Sequence, residues 1–268
     1  MTALRMALAD GAVVAKRNMI KIKRVPEILI WTTMSPIMFV LLFAYVFGGS
    51  IEIPGVNYRE YLIAGVFAQT VVFGSTFTGA GLAEDMTKGI IDRFRSLPIA
   101  RSAVLVGRTA SDVVYNATSI LVMSIAGLIV GWRIRTSVPE ALGGLLLLLA
   151  FSYAISWIMA YVGLKVSSVE VVQNASFMFI MPMTFIANTF VAAEALPGPL
   201  RTFAEWNPVS AVAQAAREAF GNTGSLPPPE AWPLQHPVLY ALLSIGLILA
   251  IFVPLSVRQY KKAAARPR

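Results

Sequence analysis

A charged stretch at residues 84–108 carries the side chains best suited to bind another molecule. It opens with acidic residues, continues with basic ones, and places apolar residues at helical spacing between the charges. An aromatic side chain ringed by arginines is a composition that recurs at protein interfaces. Residues 84–98 therefore predict a docking helix that Pro98 ends. The residues expected to make the contact are Glu84, Asp85, Ile91, Arg93, Phe94, Arg95, Leu97 and Pro98. A solvated basic loop is the alternative, which would explain the arginines but not Phe94.

The sequence offers no set of residues for catalysis. It has no cysteine, and His236 is its single histidine, so thiolate sites and histidine-cluster metal sites are excluded. A serine nucleophile in an apolar segment would lack a histidine base. There is also no Gly-x-x-x-x-Gly-Lys-Ser/Thr loop to hold nucleotide phosphates. We therefore expect this chain not to be an enzyme and to bind no cofactor itself.

Composition indicates that the elements around these residues are membrane-spanning helices. The chain is 57% hydrophobic and 13% charged, against about 25% charged in soluble proteins. Six stretches lack Asp, Glu, Lys and Arg over roughly the 20 residues that a membrane-crossing helix needs. These stretches occupy residues 28–47, 61–82, 113–131, 141–164, 171–191 and 237–257. The expected fold class is an all-α membrane protein with six transmembrane helices, forming one domain over residues 1–268.

Three segments outside the spans have their own patterns. Residues 1–26 alternate apolar and basic faces at helical spacing, which predicts an amphipathic helix lying in the membrane interface. Residues 84–108 form a loop between spans 2 and 3. Residues 192–236 are too polar to span and too apolar for a plain loop, which favours external re-entrant or interfacial helices before span 6. A polar tail at 1–26 and a folded loop at 192–236 are the alternatives.

The distribution of basic residues predicts the orientation. Of the 22 lysines and arginines, most lie in the N-terminal segment, in residues 84–108 and in the C-terminal tail. Those on the other side are Arg59, Arg133, Arg135, Arg201 and Arg217. Basic residues collect on the cytoplasmic side of membrane proteins, so both termini and residues 84–108 are expected in the cytoplasm. The net charge of +8 then reflects topology and membrane lipid rather than nucleic acid.

Uncharged polar residues within the spans are candidates for a substrate pathway. The residues selected are Thr32, Ser35, Gln69, Thr70, Ser75, Asn174 and Asn188. Hydrogen bonding between neighbouring helices is the alternative role for each. None of the spans as drawn holds an ionisable residue, and Asp112 and Glu170 are expected to be charges at span borders. Ion-driven transport usually needs such groups inside the membrane. We therefore expect energy to enter from outside, through residues 84–98.

Two parts of the chain resemble a known family. Residues 34–49 read Met-Ser-Pro-Ile-Met-Phe-Val-Leu-Leu-Phe-Ala-Tyr-Val-Phe-Gly-Gly, and residues 61–103 end in Glu-Asp-Met-Thr-Lys-Gly-Ile-Ile-Asp-Arg-Phe-Arg-Ser-Leu-Pro-Ile-Ala-Arg-Ser-Ala. Both are similar to the daunorubicin/doxorubicin-resistance permeases of the ABC-2 exporter family. The Asn207–Pro208 segment also resembles the external helical region of that family.

The resemblance implies a six-span half-transporter in a bacterial plasma membrane. It implies a second permease copy, which forms a homodimer with the first, and two copies of a cytoplasmic ATPase that bind ATP and Mg²⁺. It places the coupling helix at 84–98 and gives an amphipathic drug or lipid as the substrate. Export of a polysaccharide or teichoic-acid precursor, or a membrane scaffold that does not transport, stay open as alternatives.

Overall fold

The computed structural model describes residues 20, 34, 36–47, 55–90, 103–166, 168–225 and 228–265. Every regular element in those residues is helical, which confirms the expected all-α class for this part of the chain. The helices are α1 (Pro36–Val46, which passes into a π-helix at Leu42–Phe47), α2 (Tyr58–Gly74), α3 (Thr76–Thr87), α4 (Ala103–Val130), α5 (Val138–Lys165), α6 (Val169–Phe185), α7 (Gly198–Trp206), α8 (Pro208–Phe220), α9 (Trp232–Gln235) and α10 (Pro237–Ala265).

Helix α2 lies at the centre of the structure. It is apolar on all sides rather than along one stripe, and nearly all of its residues are buried. It contacts α4, α5, α6 and α8. Gly65 brings α2 against the backbone of Thr189, where any Cβ atom would overlap the carbonyl group. Helices α4, α5, α6 and α8 are therefore packed around α2.

Ser75 separates α2 from α3 with a small bend. Its hydroxyl donates to the carbonyl of Val71 at 2.7 Å, and the hydroxyl of Thr76 donates to the carbonyl of Phe73 at 2.7 Å. Hydroxyls that bond back to the preceding turn bend helices. The helices α2 and α3 together form one apolar unit of 30 residues from Tyr58 to Thr87.

Within the described residues, four helical units are long and apolar enough to cross a membrane. They are Tyr58–Thr87, Val104–Val130, Val138–Lys165 and Pro237–Ala263. They contain the second, third, fourth and sixth predicted spans. The last of them exposes most of its apolar side chains, such as Leu243 and Leu247, as a helix facing lipid would.

The first and fifth predicted spans correspond to shorter helices. Only residues 34 and 36–47 of the first are described, and they include α1. Helix α6 covers the fifth but ends at Phe185, before the predicted end at residue 191. At about 1.5 Å per residue, its 17 residues reach roughly 25 Å, less than the hydrocarbon core of about 30 Å.

Asn207 joins the end of α6 to the start of α8. Its Nδ2 donates to the carbonyls of Met183 at 2.6 Å and Ile186 at 3.0 Å, which satisfies the last turn of α6. Its Oδ1 accepts from the backbone N–H of Val209 at 2.9 Å, which caps α8. Helix α8 then packs against α2, α5 and α10, with most of its side chains buried.

The two cytoplasmic segments predicted from the sequence are described only in part. Residues 1–26 lie outside the described residues except for Ile20. In the 84–108 segment, α3 continues to Thr87 and α4 already begins at Ala103, so the connection is shorter than the predicted loop. Residues 91–102 lie outside the described residues.

Candidate functional site

A cavity of about 330 Å³ lies where α1, α2, α3, α4 and α6 meet. Its lining residues are Pro36, Phe39, Gln69, Thr70, Phe73, Gly74, Thr76, Phe77, Tyr115, Ser119, Phe177 and Met181. Ligand pockets usually measure about 300–1,000 Å³ and combine apolar walls with a few polar groups. This cavity has that size and that composition.

Five of the twelve lining residues are aromatic, and their rings connect different helices. Phe73 of α2 and Phe177 of α6 meet edge to face, with ring centroids 6.5 Å apart. Phe77 of α3 and Tyr115 of α4 meet in the same way at 5.2 Å. Edge-to-face pairs leave ring faces available to a further aromatic group. The cavity is therefore suited to a flat apolar molecule.

Gln69 and Thr70 give the cavity its polar groups. Gln69 is only 4% exposed, and its Nε2 atom has no hydrogen-bond partner among the described residues. The hydroxyl of Thr70 donates to the carbonyl of Val66 at 2.7 Å and keeps its lone pairs for a further donor. A buried amide donor without a partner is costly. A ligand with a carbonyl oxygen would satisfy it.

The other predicted pathway residues do not line this cavity. Ser75 is buried and donates to the carbonyl of Ser152 at 3.0 Å, which is the helix-linking role. Asn174 is exposed on α6. Asn188 is buried and does not line the cavity. Its backbone N–H donates to the hydroxyl of Ser210 at 3.0 Å. Thr32 and Ser35 lie outside the described residues.

Only the first residues of the predicted docking helix are described. Glu84 lies in the last turn of α3 and pairs with Lys88 at 2.6 Å. Asp85 is buried on the same turn. The remaining predicted contact residues, Ile91, Arg93, Phe94, Arg95, Leu97 and Pro98, lie outside the described residues.

The helix of the third predicted span is longer than the span drawn from the sequence, and its added part holds ionisable residues. Helix α4 begins ten residues before the predicted span, so Arg108 and Asp112 both lie inside the Val104–Val130 unit. Asp112 is only 5% exposed and accepts a hydrogen bond from the Thr78 hydroxyl of α3. The guanidinium of Arg108 lies 4.0 Å from the Asp112 carboxylate and donates to the carbonyl of Phe77 at 2.6 Å. Asp112 is therefore a buried partner of α3, whereas Glu170 is exposed in the first turn of α6.

A continuous polar network extends from this pair to α5. The Nδ2 of Asn116 donates to the carbonyl of Asp112 at 3.0 Å and to the hydroxyl of Ser152 at 2.8 Å. Thr78, Asp112, Asn116 and Ser152 thus connect α3, α4 and α5 below the cavity wall. The sequence contains a signal for this, because Arg108, Asp112 and Asn116 recur at intervals of four residues on one helix face.

Sequence reasoning also missed a buried arginine in α8. Arg217 is fully buried, and its guanidinium lies 3.5 Å from the centre of the Tyr61 ring. It donates to the carbonyls of Tyr61 at 3.0 Å, of Thr189 at 3.2 Å and of Asn188. The orientation argument treated this residue as an external loop charge. The one sequence signal is its position after a run rich in alanine, which lets α8 approach its neighbours closely.

Comparison with known proteins agrees with a membrane permease. A family model described as ABC-2 type transporter matches residues 11–220. The chain is 33% identical, over 93% of its length and 85% of the relative, to the daunorubicin resistance ABC transporter permease protein DrrB1 of Streptomyces coeruleorubidus. It is 24% identical, over 85% of its length and 80% of the relative, to the probable doxorubicin resistance ABC transporter permease protein DrrC of Mycobacterium tuberculosis (strain ATCC 25618 / H37Rv).

The match extends well beyond the most specific motif. The family model covers α1 to α8 and includes the cavity, the polar network and Arg217. The resemblance found from residues 34–49 and 61–103 is therefore confirmed. The apolar helices agree with a protein of the bacterial inner membrane. The chain belongs to the ABC-2 type transporter family and is a permease subunit of an ABC exporter.

Proposed function

We propose that this chain forms the membrane pathway for a flat, amphipathic aromatic drug that binds in the cavity between α1, α2, α3, α4 and α6. The cavity carries the proposal, because it joins aromatic walls to a buried amide donor without a protein partner. The names of the relatives, which refer to daunorubicin and doxorubicin resistance, give the same substrate class. Energy comes from a separate cytoplasmic ATPase, which binds ATP and Mg²⁺.

Residues 84–98 are the proposed docking site of that ATPase. The helices on either side of this segment, α3 and α4, both contribute side chains to the cavity wall: Phe77 from α3 and Tyr115 from α4. Thr78 and Asp112 join the same two helices by a buried hydrogen bond. A displacement of residues 88–102 would therefore move two walls of the cavity together. This gives ATP binding a direct mechanical path to the substrate.

The proposed topology has six spans with both termini in the cytoplasm, in a dimer that binds two ATPase copies. Helices α1 and α6 supply the first and fifth spans. The segment that holds α7 and α8 re-enters the membrane from outside. In support, α8 begins beside the C-terminal end of α6, at Ile186, and its last turn lies beside the start of α5, where the hydroxyl of Thr136 donates to the carbonyl of Ala219 at 2.5 Å.

Replacement of Phe177 with alanine tests the cavity. Phe177 lines the cavity but is 56% exposed, so its loss should cost little stability. We expect the KM for ATP-dependent daunorubicin uptake to rise roughly fivefold in inside-out vesicles that carry the partner ATPase, because one aromatic contact of about 1 kcal/mol is lost.

Phe179 provides the matched control. It lies on the same helix, is 73% exposed and does not line the cavity. Phe179→Ala should leave the KM unchanged at equal abundance in the membrane. Equal KM values for the two variants would mean that the drug does not bind in this cavity.

A further inference from the structure

A second groove, of about 490 Å³, lies between α5, α8 and α10. It is separate from the aromatic cavity and shares none of its lining residues. Its walls are aliphatic, formed by Leu146 and Leu147 of α5 and by Val238 and Leu242 of α10. Leu146 and Leu242 are more than half exposed. Because α5 and α10 are membrane-spanning units, the groove opens toward lipid.

Two glycines of α5 shape this groove in different ways. Gly143 faces free space, since a Cβ atom there would meet no atom within 4 Å. Gly144 instead allows close packing, since its Cβ would lie 2.7 Å from the Cβ of Ala219 on α8. From Glu140 to Ala150 the groove follows α5 for about 15 Å, at 1.5 Å per residue. It therefore has the form of a narrow channel for a hydrocarbon chain.

Two carboxylates line the end of the groove near the membrane surface. Glu140 lies in the first turn of α5, and Glu218 lies in the last turn of α8, close to the start of α10 at Val238. Charged side chains are costly in the hydrocarbon core, so carboxylates at helix ends are expected near the boundary between hydrocarbon and water. The groove thus places its charges at headgroup level and its apolar part inside the hydrocarbon.

Within the described part of the chain, neither carboxylate has a cationic partner. Glu140 accepts the backbone N–H of Ser137 at 3.1 Å, and Glu218 accepts the side-chain amide of Gln214 at 3.1 Å. Among the residues that the structure describes, no lysine or arginine pairs with either one. Burial raises the pKa of the Glu218 carboxyl. A cationic headgroup in the groove would supply the partner that both carboxylates lack.

We propose that this groove binds a phospholipid whose headgroup ends in a primary ammonium. The acyl chain lies along Gly143, Leu147 and Leu242, and the ammonium donates to Glu140 and Glu218. A trimethylammonium headgroup has no N–H to donate, and an anionic glycerol headgroup is repelled by the carboxylates. The site therefore prefers phosphatidylethanolamine to phosphatidylcholine, and phosphatidylcholine to phosphatidylglycerol.

Native mass spectrometry of the delipidated full chain, titrated with each of these lipids, tests the site. Two variants act on it differently. Glu218→Gln removes one charge at constant shape and should weaken phosphatidylethanolamine binding roughly five- to tenfold, with phosphatidylcholine unaffected. Gly143→Leu fills the open channel and should remove one bound lipid of either kind. The matched control is Gly246→Leu on α10, since Gly246 also faces free space but does not line the groove.

Three results would overturn the proposal. One is equal affinity of the wild-type chain for the three lipids. Another is an unchanged number of bound lipids in Gly143→Leu when the variant elutes as a folded protein. The third is a changed monomer–dimer ratio in Gly143→Leu with unchanged lipid binding, which would make the groove an interface between two copies of the chain.

Discussion

Single polar side chains in the apolar interior define the two most informative places in this protein. Gln69 has a buried amide donor without a partner, and it lines a cavity. Arg217 is equally buried, but carbonyl oxygens and the Tyr61 ring surround it. Nη1 of Arg217 also has no hydrogen-bond partner among the described residues, but its Nε and Nη2 donate to backbone carbonyls of two segments, and it does not line the cavity. We therefore propose that Gln69 binds the substrate and that Arg217 holds the fold.

Arg217→Met is expected to destabilise the protein by about 3 kcal/mol, because the carbonyls of Tyr61, Asn188 and Thr189 lose their buried cationic donor. The measurement is thermal unfolding of the purified permease in detergent. Arg201→Met is the control, because Arg201 forms partly exposed ion pairs with Glu205 and Glu230. Surface pairs contribute about 1 kcal/mol or less. Similar losses in the two variants would contradict the structural role of Arg217.

At the scale of helices, α3 and α4 act as a pair. They flank the proposed docking segment, contribute to the cavity wall, and are joined through Thr78 and Asp112. Helices of a membrane protein gain little from the hydrophobic effect between them, so hydrogen bonds and close packing fix their positions. The buried network at Asp112 is therefore well placed to make the two helices move together.

Thr78→Val should uncouple transport from ATP hydrolysis. The change keeps the shape of the side chain but removes the donor to Asp112. We expect the amount of drug transported per ATP hydrolysed to fall roughly tenfold, which corresponds to the loss of one hydrogen bond to a charged group. The assay is a parallel measurement of uptake and ATP hydrolysis in vesicles.

Thr118→Val is the control for this experiment. The Thr118 hydroxyl donates only to the carbonyl of Val114 within its own helix, at 2.9 Å. It should therefore leave the ratio unchanged. An unchanged ratio in Thr78→Val as well would show that the α3–α4 hydrogen bond has no role in coupling.

At the scale of the whole molecule, the proposed membrane orientation concerns the segments that connect the helices. Residues 55–60, 131–137 and 221–225 come together at one end, where Glu60 forms a two-point ion pair with Arg135 at 2.8 and 2.9 Å. Gly55 and Ser225 meet there as well. We propose that these segments face the outside of the cell, because most lysines and arginines lie in the N-terminal segment, in residues 84–108 and in the C-terminal tail.

Cysteine labelling tests this orientation, since the chain has no cysteine of its own. Ser225→Cys and Ser50→Cys should react with a membrane-impermeant maleimide on intact cells. Ser96→Cys, in the proposed docking helix, should react only after permeabilisation, and less when the partner ATPase is co-expressed. The opposite pattern would reverse the topology, and labelling of Ser96→Cys that ignores the ATPase would remove residues 84–98 from the docking site.

The sequence by itself determined the class of the protein, four of its spanning helices and its family. The class and the spans follow from the length of the uncharged stretches, which matches the thickness of a bilayer. The family follows from the sequence motifs in residues 34–49 and 61–103. Gln69 and Thr70 were also found, because polar residues in an apolar helix stand out in the sequence. Ser75, Asn174 and Asn188 are also polar residues in apolar segments, but they do not line the cavity.

Only the tertiary structure decided which polar residues share a cavity and which charges are buried. Asp112 was expected at a membrane border, because a carboxylate in an apolar helix is costly without a partner, and its partner Thr78 lies 34 positions away in the chain. Arg217 was counted as a loop charge, because the carbonyls that satisfy it belong to α2 and to the turn after α6. Solvation of a charge depends on contacts between distant segments, and the spacing of residues along one helix does not contain that information.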